Sequence, residues 1–83
     1  MMKLQAKKNT YDVKYILPRG NELAISLDGN YSVADVAADM DGLSVIRATE
    51  ETPNITHVYE GYTQLTAVQK MSGGNIRVLL ARE

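Results

Sequence analysis

Eighty-three residues with 45% apolar and 23% charged side chains have the balance of a globular chain rather than a disordered one, and the length suits a single domain spanning residues 1–83. The sequence holds no cysteine, tryptophan or phenylalanine, which excludes disulfides, thiolate metal sites and thiol nucleophiles and leaves five tyrosines as the only aromatics. A net charge of −1 argues against nucleic acid as a partner, and no apolar stretch approaches the ~20 residues of a membrane span.

The opening stretch, MMKLQAKKN, lacks the apolar core of a signal peptide, so the cytoplasm of the producing cell is the expected compartment. YDVKYIL alternates, with Tyr11, Val13, Tyr15 and Leu17 on one face and Asp12, Lys14 and Ile16 on the other. PRGN follows, with Pro18 and Gly20 placed for a type I turn. ELAISLD alternates again through Leu23, Ile25 and Leu27, so the two runs predict a hairpin.

SVADVAADMDGL predicts the one helix. Ser32 is a good N-cap with Asp35 three residues on, and Val33, Val36, Ala37 and Met40 form one apolar stripe. Gly42 suits the helix end and Leu43 can fold back on the last turn. Asp39 and Asp41 sit at the negative end of the helix dipole, so something other than helix stability put acids there; solvation is the expectation for their side chains. LSVIRATE carries apolar residues on both faces, as a central or helix-covered strand does, and ETPN reads as a loop.

VYEGYTQLTAVQK poses a length problem. Unbroken extension from Ile55 to Met71 reaches roughly 55 Å at ~3.3 Å per residue, about twice the width of so small a domain. The chain must break at Gly61, through a two-residue hairpin turn at Glu60-Gly61 or through a bulge that bends one long strand; the parity of Val58 against Leu65 and Ala67 favours the bend. SGGN then turns into NIRVLLAR, where Ile76, Val78 and Leu80 alternate with Arg77 and Leu79. The expected fold is α+β: a mostly antiparallel sheet of five or six strands with one short helix packed on it.

Chemistry-bearing motifs are scarce. His57 is the only histidine and has no second histidine or cysteine to share a metal with. The acids of DGNYSVADVAADMDG miss the ligand and glycine spacing of a calcium loop, and Gly73-Gly74 lacks the lysine and helix of a phosphate loop. The expectation is therefore no catalytic residues, no cofactor and no metal. Asn30 and Asn54 open sequons, read as chance matches. Tyr59 and Tyr62 share a side if Gly61 is bulged, where they could stack bases or edge the core.

The last strand carries Leu79 opposite Ile76, Val78 and Leu80, leaving apolar surface over if only one face is covered, and at a sheet edge it would offer its backbone to another chain. Tyr59, Tyr62, Arg77 and Leu79 are the candidate interaction surface. Charge is unevenly spread: residues 1–20 carry five basic residues against Asp12, residues 21–60 carry eight acids against Arg47, and residues 61–83 carry three basic residues against Glu83. Such a pattern can orient a docking partner.

VYEGYTQLTAVQKMSGGNIRVLLARE resembles the endings of short proteins encoded by phages and prophages of Gram-positive bacteria, in which an aromatic-x-Gly-Tyr-Thr-x-Leu strand leads through a polar turn into a β-branched strand. The resemblance covers about residues 22–83, including the short helix before it. It implies a non-enzymatic structural or assembly role, tail-associated or otherwise, through protein–protein association with other virion proteins or with itself, and it places the protein in the producing cell and then the virion. The alternative is a small cellular binding module, either a β-grasp-like adaptor or a single-stranded nucleic-acid binder.

Overall fold

The computed structural model describes residues 2–40, 47–51, 54 and 56–82. In chain order the elements are β1 (Met2–Gln5), β2 (Thr10–Arg19), β3 (Glu22–Leu27), α1 (Val33–Met40), β4 (Arg47–Glu51), β5 (Thr56–Tyr59), β6 (Tyr62–Lys70) and β7 (Ile76–Arg82). The strands form one antiparallel sheet in the order β5-β4-β1-β2-β3-β7-β6. The class is the expected mostly antiparallel α+β arrangement, but the described residues form seven strands rather than five or six. Four residues of the opening stretch pair with β2 on one side and β4 on the other, and Gly61 divides the long extended run into two strands.

The break at Gly61 shapes the whole sheet. β5 and β6 occupy opposite edges, yet only Glu60 and Gly61 separate them. Three Cα–Cα steps reach about 11 Å, whereas seven flat strands would hold their edges roughly 29 Å apart. The sheet must therefore curl until its two edges meet at this corner. Gly61 turns the chain there with φ +87°, a conformation that β-branched and bulky side chains resist. The bend is as expected; the hairpin alternative fails, because β5 and β6 are not neighbours in the sheet.

One face of the curled sheet carries the core. Leu4, Leu23, Ile25, Leu27, Ile76 and Leu80 are fully buried on it, each contributing about 1.5–3 kcal/mol relative to exposure. β2 corrects the predicted alternation. A bulge between Val13 and Tyr15 inserts Lys14, so Tyr11 and Val13 face the core while Tyr15 and Leu17 are turned outward, 45% and 44% exposed. Ile16, expected on the face opposite Tyr11 and Val13, packs against the same core as they do.

The hairpin turn is also displaced. Pro18 and Arg19 belong to β2, paired with Leu23 and Glu22, so the turn is the two residues Gly20-Asn21, with Gly20 at φ +57° as a type II′ turn requires. β7 lies between β3 and β6, so the last strand is interior and offers no edge, contrary to the conditional expectation. β4 is interior too, as expected. Its predicted beginning at Leu43–Ile46, the Gly42 helix end and Pro53 of the loop lie outside the described residues.

The helix forms where its sequence predicts. The Asp35 amide donates to Ser32 Oγ at 3.4 Å, and the Val36 amide to the Ser32 carbonyl at 3.0 Å. Val36 and Met40 are buried in the core and Val33 is packed against it. The helix meets β6 on one side and the turn between β1 and β2 on the other.

Candidate functional site

Two places combine distinctive chemistry with a defined position in the fold. The first is the junction between α1 and the β1–β2 turn. Asp39, expected in solvent, is buried there at 6% exposure. The backbone amides of Lys8 and Asn9 donate to its carboxylate at 2.7 and 3.2 Å, Asn9 Nδ2 at 3.1 Å, and the Tyr11 hydroxyl at 2.8 Å. Its own carbonyl accepts from the Lys7 amide at 3.3 Å. The expectation of solvation fails because the turn supplies donors that α1 alone does not.

Burial by itself would raise the Asp39 pKa, but the hydrogen bonds from Tyr11, Lys8 and Asn9 outweigh it and hold the carboxyl below its ordinary range. Burial, reinforced by the bond to Asp39, pushes the Tyr11 phenol up to about 12. The Tyr11 ring meets Tyr31 edge-on with centroids 5.0 Å apart. Four donors already engage the Asp39 oxygens, so the carboxylate is a clasp rather than a free base or ligand. Clefts of about 400 and 310 Å³ flank this clasp, the first bordered by Lys7, Lys8 and Asp35, the second by Asn30, Tyr31 and Ser32.

The second place is the outer face of the sheet along β3. Register puts Tyr15, Ser26 and Arg77 in one row and Leu17, Ala24 and Leu79 in the next. The small Ala24 and Ser26 make a buried floor, each 3% exposed, between the larger side chains of β2 and β7. The result is a shallow trough with exposed Tyr15 and Leu17 on one bank and half-buried Arg77 and Leu79 on the other. Arg77 Nη2 donates to Gln69 Oε1 at 2.8 Å, while its buried Nε has no partner among the described residues.

The four residues predicted as an interaction surface divide between two faces. Arg77 and Leu79 lie on the outer face, as expected. Tyr62 is buried in the core at 7% exposure, with the Arg82 guanidinium 4.6 Å from its ring centroid. Tyr59 packs against the same core, and its hydroxyl donates to Glu50 Oε2 at 3.3 Å; burial and then the Glu50 charge raise its pKa. The two tyrosines do share a side, but it is the inner one. Sequence reasoning missed Tyr15 and Leu17, which an uninterrupted alternation assigns to the core.

His57 is exposed on β5, its ring 4.3 Å from that of Tyr59. Among the described residues, no three histidine or acidic side chains are placed to hold a metal ion, and no helix is long and apolar enough to cross a membrane. No family model matches the chain, and no curated protein or solved structure matches it either.

Proposed function

We propose that this protein acts by non-catalytic association with another protein, as a structural or assembly component of a phage or prophage, and that the trough along β3 receives the partner. The observation that carries the reading is the pair Tyr15 and Leu17, each more than two-fifths exposed beside a floor of small residues. An aromatic and an aliphatic side chain held on a rigid sheet form a ready anchor at low entropic cost. The resemblance of residues 22–83 to short phage proteins supplies the biological setting, first the producing cell's cytoplasm and then the virion.

Association through the face is favoured over strand addition at the nearby edge. β1 reaches only to Val13, so among the described residues Tyr15–Arg19 has no strand neighbour on that side. The two-residue hairpin turns the backbone groups of Ile16 and Pro18 toward this open side, and Pro18 has no N–H to donate. Proline at such a place blunts an edge against added strands. The stacking alternative for single-stranded nucleic acid loses support, because the Tyr62 ring is inside the core.

The experiment is a pull-down of the products of neighbouring genes with wild type, Leu17→Lys and Tyr15→Ala. The partner is expected to be lost from both variants while their thermal unfolding stays near wild type. Undiminished capture by both variants removes the trough from the reading.

A further inference from the structure

We propose that the β6–β7 hairpin exchanges between two copies of this chain, with Gly61 as the hinge, to give a swapped dimer. This stands apart from the trough reading and rests on different observations. The hairpin joins the rest of the fold through Glu60-Gly61 alone among its covalent connections on the N-terminal side, and it closes the sheet by laying β7 against β3. In the closed form β5 and β6 run in the same direction, and the chain bends between them at a glycine with φ +87°. Residues on both sides are already strand, so a change of φ at Gly61 to the extended range makes 56–70 one continuous strand.

The straightened strand carries β6 and β7 away from their own β3. The hairpin cannot remain in water, since Tyr62, Ile76, Val78 and Leu80 are buried in the core. A second copy offers the identical site, with Glu22–Ser26 open to the same pairing with Arg77–Ala81. Short hinge connections invite this exchange, and it makes every native contact again between chains. A Cβ at Gly61 meets nothing nearer than Arg82 Nε at 3.9 Å, so a side chain there opposes the closed form through backbone conformation and not through a clash.

Gly61→Val is therefore expected to shift the protein from monomer toward dimer by tenfold or more at equal concentration, read by sedimentation. A cysteine pair reports the exchange directly, because the native chain has none. Glu22 and Ala81 lie opposite each other across β3 and β7. Chains bearing Glu22→Cys alone and Ala81→Cys alone, refolded together at high concentration and oxidised, are expected to form an interchain disulfide. The double variant at low concentration serves as the control and closes an intrachain one. A folded, monomeric Gly61→Val overturns the proposal. So does a mixture without the interchain disulfide when the control closes its own; that mixture, in the wild-type Gly61 background, decides the matter if Gly61→Val does not fold.

Discussion

At the α1 junction a single carboxylate satisfies three donors from the β1–β2 turn and a fourth, the Tyr11 hydroxyl, from β2, and every contact is internal. Among the described residues, the small floor of the trough along β3 is covered only by its banks, two large side chains face water, and a guanidinium nitrogen is left without a partner. Both places are built on β2, a few residues apart. The bulge at Lys14 separates them: before it, alternate β2 side chains serve the core and the clasp; after it, the parity is reversed and Tyr15 and Leu17 are turned outward. One inserted residue thus assigns one end of a strand to holding the fold and the other to a surface that the fold does not need.

If that contrast is right, substitutions at the two ends must differ in kind. The largest effect is expected on the inner side. Val36→Asp places an unpaired charge against the core and should cost about 3–5 kcal/mol, enough to unfold much of a domain of ordinary stability. Denaturant unfolding checks this; a midpoint near wild type would mean that α1 is not packed as described.

Asp39→Ala leaves the Tyr11 hydroxyl and two backbone amides without their acceptor, a loss of about 2–4 kcal/mol. Asp39→Asn keeps the shape and one acceptor oxygen and should cost less. Equal, negligible losses in both variants would demote the clasp to a surface contact.

The same carboxylate gives a pH signature. Its folded pKa is depressed below its unfolded value, so its contribution is fully present above that ordinary value of about 4 and is lost as pH falls through the lower folded value. The stability gap between wild type and Asp39→Asn is therefore expected to narrow below about pH 4. A gap that stays constant down to pH 2 contradicts the depressed pKa.

The smallest effect on stability belongs to the trough. Leu17→Lys, on an exposed outward position, should stay within about 0.5 kcal/mol of wild type while removing partner binding. A strongly destabilised Leu17→Lys would show that the outer bank serves the fold after all.

Local patterns carried much of this architecture. The β3 alternation, the Val33–Val36–Met40 stripe, the Ser32 cap and the bend at Gly61 depend on residues within a few positions of one another, where periodicity and backbone preference act. β1 was hidden because four residues hold too little periodicity to stand out from a basic tail; its strand character comes from the two neighbours that flank it. The Lys14 bulge carries no glycine, and its only trace in YDVKYIL is the apolar Ile16 on the face of Asp12 and Lys14. Asp39 lies some thirty residues from its donors, and such a partnership is invisible locally. Its only trace was an acid at the end of a helix that disfavours one. The separation of Tyr62 from Leu79 had the same cause, since strand order decides which faces are inner.

Hydrogen–deuterium exchange with and without the captured partner bears most directly on the division of labour along β2. Protection is expected to rise on binding across Tyr15–Arg19 and Arg77–Ala81, while Lys7–Tyr11 and α1 remain as they were. Protection that rises instead at Lys7–Tyr11 and α1, with the trough unchanged, would contradict the account and move the binding surface to the clefts beside the Asp39 clasp.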